Sequence, residues 1–226
     1  MSFFDRVLFK LFRFTPTFSQ AGEDKILQHL FFSRKLDKIT YLDIGTNHPT
    51  IGSNTYLFYR EGGSGVCVEP NPALCALIRS KRPRDLCINA GVSMGEEGIA
   101  DFYSMNIHTL STFSKDEAET LDRTTEYKIK EVLKTPLKNI NNIIRDNFKT
   151  PIHLVSIDVE GWNEQIVESL DFSANRPLCF CVETITFSLE NKGVKLQGIF
   201  DKFRDNDYSV YAETHLNTIF IDNRAV

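Results

Sequence analysis

Four short apolar runs in this 226-residue chain each end at or beside an acid, and no other feature constrains its fold as much. The runs are Ile39–Ile44, Gly65–Glu69, Pro151–Asp158 and Leu178–Thr184; the acids are Asp43, Glu69, Asp158 and Glu183. Their apolar residues are continuous rather than alternating, as in strands buried on both faces. Between and around them lie segments with helical spacing. These are Gly22–Leu36, Gly52–Arg60, Asn71–Ser80, Lys115–Leu133, Asn139–Asn147, Trp162–Leu170 and Lys195–Asp205. Asp85–Val92 and Gly98–Ser104 read as further strands, and Tyr208–Glu213 with Asn217–Asp222 as a closing pair across a short turn. Strands that alternate with helices predict an α/β fold: a doubly wound, mostly parallel sheet, here with an antiparallel C-terminal strand pair. Ligands of such sheets bind at the carboxyl ends of the strands. Four acids placed there predict one functional edge.

The length suits one sizeable core. Residues 1–17 are expected to form an N-terminal amphipathic helix and residues 18–226 a single domain. In the N-terminal stretch Arg6, Lys10 and Arg13 fall on one helical face, while Phe4, Leu8, Leu11 and Phe12 fall on others. Such a helix packs on the domain, packs on a partner subunit of a homo-oligomer, or lies on an anionic membrane surface as a peripheral contact. No apolar run approaches the ~20 residues of a membrane span. Five cysteines, Cys67, Cys75, Cys87, Cys179 and Cys181, make an odd number in a chain that is not small. That argues against a disulfide framework and for a reducing, cytoplasmic setting. Cys179 and Cys181 share a strand face and are expected to be core thiols. The net charge of −4 and the absence of an arginine-rich run argue against nucleic acid as a partner. A sugar, a glycan or a small neutral metabolite suits this balance better.

Two elements suggest a nucleoside cofactor. Tyr41-Leu-Asp-Ile-Gly-Thr-Asn47 takes a strand into a glycine turn, where Gly45 allows close backbone approach. Asp43 either anchors that turn or meets a bound amino group. Glu69 ends the next strand, where an acid can accept both hydroxyls of a ribose. A nicotinamide cofactor would use the same acid but also needs a pyrophosphate turn, normally G-x-G-x-x-G. Here Gly45 is followed by His48, Pro49 and only then Gly52. S-adenosylmethionine (SAM), which has no phosphate, makes no such demand.

Read together, Ser19-Gln-Ala-Gly-Glu-Asp24, Leu42-Asp-Ile-Gly-Thr-Asn47, Gly52-Ser-Asn-Thr55, Val68-Glu-Pro-Asn-Pro72, Leu110-Ser-Thr112, Ser156-Ile-Asp-Val-Glu-Gly161 and Val182-Glu183 resemble the FkbM family of SAM-dependent methyltransferases. The resemblance covers roughly residues 18–222, and Thr46–Ile51 is a few residues longer than the turn usual there. It implies a class I methyltransferase fold with SAM over the first two strands. Asp43, Gly45 and Asn47 would serve the methionine end and turn, and Glu69 the ribose. Ser53, Asn54, Pro70 and Asn71 fall in the same motifs and are expected cofactor contacts. Ser19, Gln20 and Glu23 would help close the site, with Gln20 touching the cofactor. The family acts mainly on hydroxyls of sugars and polyketide-like metabolites, which implies O-methylation of such an acceptor.

An alcohol is a very weak acid, so its methylation calls for a base or a metal. Asp158 and Glu160 are the candidate catalytic pair: either takes the proton, or Asp158 and Glu183 hold a divalent ion with oxygen ligands. A structural alternative has Asp158 organise its loop and Glu160 cap the next helix. Of the histidines, His48 and His215 are expected nearest the edge. Two other functions stay open at this point: an NAD(P)-dependent oxidoreductase on a related sheet, and a non-catalytic binding module that kept the fold.

Overall fold

The computed structural model describes residues 16–159, 161–186 and 193–225. The expected helix over 1–17 therefore falls almost wholly outside the described residues, as does Glu160. In chain order the elements are α1 (Glu23–Ser33), β1 (Thr40–Ile44), α2 (Tyr56–Arg60), β2 (Ser64–Val68), α3 (Pro72–Lys81), β3 (Leu86–Ile88) and β4 (Gly91–Ser93). Then come β5 (Gly98–Met105), α4 (Lys115–Thr124), β6 (Ile129–Asn139), α5 (Ile140–Asn147), β7 (Leu154–Ile157) and α6 (Asn163–Glu168). The chain ends with β8 (Cys179–Glu183), α7 (Gln197–Asp205), β9 (Tyr208–Glu213) and β10 (Asn217–Asp222).

Seven strands form one sheet in the order β3-β2-β1-β7-β8-β10-β9. Neighbours from β3 to β8 are parallel, while β10 runs antiparallel to both β8 and β9. This is the doubly wound, mostly parallel sheet expected from the apolar runs, with an antiparallel strand inserted near one edge. Alternate residues of one strand feed two cores, because successive side chains leave opposite faces. Leu42, Ile44, Phe180 and Val182 join Ile143, Ile166, Ile199 and Phe203 on one face. Tyr41, Cys179, Cys181 and Ile219 join Leu27, Leu30, Phe31 and Phe58 on the other. Each such buried side chain contributes about 1.5–3 kcal/mol, which is why the central strands tolerate few polar residues. All five cysteines are free and buried.

The structure differs from the sequence expectation over residues 85–139. Asp85–Val92 is not one strand. It breaks at Asn89, whose Nδ2 donates to the carbonyls of Glu69 and Pro70, 2.9 Å each. β3 stays with β2, and β4 departs to a second, three-stranded sheet of order β4-β6-β5. Nor is Lys115–Leu133 one helix. It stops at the β-branched pair Thr124-Thr125, and Ile129 begins β6, which pairs antiparallel with β5. The charges up to Arg123 stay on the helix, while Lys130 and Glu131 fall on a strand largely open to solvent, where Lys134 lies 2.6 Å from Asp101 across the ladder. The helix expected over Gly52–Arg60 is shorter, because Gly52 holds φ +68° and Ser53 Oγ accepts the N–H groups of Thr55 and Tyr56 at the helix start. No helix among the described residues is long and apolar enough to cross a membrane.

Candidate active site

The carboxyl ends of β1, β2 and β7 frame a cavity of about 430 Å³. Its floor is Ile44–His48, Val68–Pro70, Ala90–Val92 and Asp158–Val159. Its opposite wall comes from the small sheet and the segment behind it: Phe102, His108, Thr109 and Ser111–Phe113. Trp162 completes that wall, with the Phe113 ring stacked on it at 5.1 Å between centroids.

Gly45 sits where the β1 and β7 turns cross. It holds φ +75°, and a Cβ there would stand 1.9 Å from the Asp158 carbonyl oxygen. Only glycine meets both demands. Glu69 is buried at the end of β2 and lines the cavity. Each of its carboxylate oxygens accepts one backbone N–H, from Asn47 and from Asn71, both at 2.8 Å. Burial pushes its pKa up to about 7, against the lowering effect of those two N–H groups, with the Asp43 charge adding to the rise. Asn47 holds φ +53°, which asparagine tolerates better than most residues, and its Oδ1 is buried with no hydrogen-bond partner.

Asp158 lines the cavity, and its carboxylate accepts no hydrogen bond from a described residue. Burial first, and then the negative charges of Asp43 and Glu23, raise its pKa to about 6. Such a carboxyl is poised to take a proton near neutral pH. Glu183 does not line the cavity; its Oε2 accepts Nδ2 of Asn163 at 2.8 Å, and Asn163 Oδ1 in turn accepts the Val159 N–H. The pair proposed for a metal thus lies in two settings. Among the described residues no three His, Cys, Asp or Glu side chains gather to hold a metal ion.

The other expected contacts divide. Gln20, Gly45, Asn47, Glu69 and Pro70 line the cavity, whereas Asp43, Ser53, Asn54 and Asn71 do not. Asp43 is buried behind the turn, with Thr55 Oγ1 donating to it and Arg82 Nη1 at 3.7 Å. Ser53 Oγ organises the start of α2, and Asn54 Nδ2 reaches Ser156 Oγ at 3.2 Å. Asn71 caps α3 through Oδ1. The Ser19–Asp24 motif is a clasp. Asp24 accepts from Thr17, Phe18 and Ser19, while Glu23 accepts from Ala21 N, Thr214 and Asn217 and so ties the segment to the C-terminal hairpin.

His48 lines the cavity; His215 is exposed and does not. His108, Phe102, Phe113 and Trp162 were not anticipated. The Leu110–Thr112 motif was the available signal, but only the small sheet carries that segment over the strand ends.

An adenosyl group fits these residues. One carboxylate, with a lone pair left on each oxygen, is available for two ribose hydroxyls, and Val68, Pro70, Ala90 and Val92 offer apolar walls for a base. Among the described residues no lysine or arginine lines the cavity to receive a pyrophosphate. The sequence matches the family described as the methyltransferase FkbM domain over residues 43–210, well over half of the chain. No curated protein matches it in sequence. Among solved structures it is similar to an O-methyltransferase from Bacillus cereus in complex with S-adenosylhomocysteine (SAH), at 13% identity, 96% of this chain, 95% of that one and TM-score 0.49. It is also similar to a TehB-like SAM-dependent methyltransferase from Corynebacterium glutamicum, at 8% identity, 90% and 88% coverage and TM-score 0.44. A third, an SAH-bound methyltransferase from Podospora anserina, shows 9% identity, 89% and 78% coverage and TM-score 0.44. On the family match, with a cavity built for an adenosyl group at the ends of a doubly wound sheet, the chain belongs to the FkbM methyltransferase family and is a SAM-dependent methyltransferase.

Proposed function

We propose that this enzyme methylates a hydroxyl oxygen of a sugar, a glycan or a small metabolite. The observation that carries the reading is Asp158: a carboxylate on the cavity surface, without a hydrogen-bond donor among the described residues, held at a pKa of about 6. A hydroxyl must lose its proton as it is methylated, and a base whose pKa lies near the working pH is the group that chemistry needs. Bound SAM supplies an electrophilic methyl on a sulfonium, whose departure leaves a neutral thioether. Glu69 holds the ribose and so sets where the methyl lies. Asp158 receives the hydroxyl proton. Phe113 and Trp162 form an apolar wall that suits the face of a sugar ring and excludes water. The net charge of −4 disfavours a polyanionic acceptor.

The test is methyl incorporation from labelled SAM into a panel of methyl glycosides, with SAH formation followed in parallel. Acceptor-dependent SAH release with an ether-linked methyl in the product is the expected result. Transfer only to nitrogen or sulfur nucleophiles, or tight NAD binding with none of SAM, would sink the reading.

A further inference from the structure

We propose that His48 is an acceptor-binding residue: a ring locked as the Nε2–H tautomer, which donates a hydrogen bond to the acceptor oxygen and does not serve as the base. The lock is local. Nδ1 of His48 accepts the backbone N–H groups of both Thr50 and Ile51, at 3.2 Å each, and Thr50 Oγ1 lies 3.4 Å away. A nitrogen that accepts from backbone donors carries no proton, so a neutral ring must carry its proton on Nε2. Protonating Nδ1 would set a cation's N–H against two N–H groups that cannot turn away. Burial and the neighbouring His108 also disfavour the charged ring. What remains is a donor of fixed direction.

Its place is a part of the cavity lining that reaches solvent at Ile51. His48 shares the lining with Gln20, Ile51, Gly52 and His108, and Ile51 is 72% exposed. Glu69, the group for the ribose, belongs to the β2 end. The His48 part of the lining, beside exposed Ile51, is where an acceptor from solvent can reach the cavity. A neutral N–H there favours uncharged oxygen, and it steadies the charge that grows on that oxygen as Asp158 takes the proton. This rests on the hydroxyl reading above.

The experiment uses the full chain with SAH, SAM and the methyl glycoside panel as probes. Nitrogen-15 spectra of the histidine rings at pH 7 should show His48 with a bare Nδ1 and a protonated Nε2; the opposite tautomer, or a doubly protonated ring, overturns the proposal. His48→Asn places Oδ1 where it can still accept the Thr50 and Ile51 N–H groups but leaves nothing where Nε2–H stood. It should raise acceptor KM by about tenfold, the cost of one hydrogen bond, with SAH affinity unchanged. His48→Gln, which reaches further with an N–H, should recover part of that loss. Unchanged acceptor KM, or a loss of SAH affinity instead, overturns the role of His48 while leaving the hydroxyl reading intact. No transfer by the native enzyme to any glycoside overturns that reading, and this proposal with it.

Discussion

Arg82 is fully buried beneath the cofactor turn, with its Nε 2.7 Å from Asp85 and its Nη1 3.7 Å from Asp43. Tyr41 donates its hydroxyl to the same Asp85 at 2.8 Å, and Thr55 accepts from Arg82 at 2.9 Å while donating to Asp43. The first acid of the glycine turn is therefore held from behind by a buried cation.

Removing that cation should cost far more than a surface ion pair. Arg82→Met leaves two buried carboxylates without their partner, and the loss is expected at about 3–5 kcal/mol. Urea unfolding measures it. A midpoint equal to that of the native protein would show that the network contributes nothing to stability.

Gly45 should accept no side chain. In Gly45→Ala the left-handed backbone alone costs about 1–2 kcal/mol, and the methyl must displace the Asp158 carbonyl that lies 1.9 Å from its ideal position. Both stability and SAH binding should fall. An alanine variant with native SAH affinity would mean that the two turns can part without harm.

Glu69 gives SAH binding a pH dependence whose sign is fixed. Ribose hydroxyls donate to the ionised carboxylate, so binding favours the charged form of a group with a pKa of about 7. Affinity should rise with pH, by up to about tenfold per unit well below 7, and level off above it. Glu69→Gln should flatten this curve and weaken binding by about 1.5–3 kcal/mol at pH 8. Calorimetry across the range decides; a native curve that falls with pH contradicts the assignment.

Asp158→Asn should separate chemistry from binding. We expect kcat to fall by about 10²–10⁴-fold with SAH affinity within a few fold, because the asparagine keeps size but takes no proton. In the native enzyme kcat/KM should rise with pH to a plateau above about 6. Stability should move the other way. A carboxyl whose pKa is raised in the folded state contributes its stability below its unfolded pKa, and that stability is lost as pH rises through about 6. The Asn variant should accordingly unfold later than the native protein at pH 8 and lose that advantage near pH 4. Near-native turnover would place the base elsewhere.

The sheet was legible in the chain because its central strands are buried on both faces. Continuous apolar runs such as Pro151–Asp158 can satisfy themselves only in a doubly covered sheet, and of the four acids at their ends Glu69 and Asp158 line the cavity there. The position of Glu69 on the cavity was legible for the same reason: a carboxylate closing a buried strand is costly unless something nearby hydrogen-bonds to it. The small sheet was not legible. The strand Ile129–Asn139 lies half in solvent, so its mixed charges mimic a helix, and its pairing with Gly98–Met105 is a contact that no local pattern carries. The division of labour among acids was likewise decided by tertiary structure. Asp43 and Asp158 both end core strands, yet Asp43 turns away from the cavity toward buried Arg82 while Asp158 lines it without a partner among the described residues. Local sequence sets which residues reach the strand ends. The charge, burial and donors that meet each one arrive from segments distant in the chain, and those set its pKa and its role.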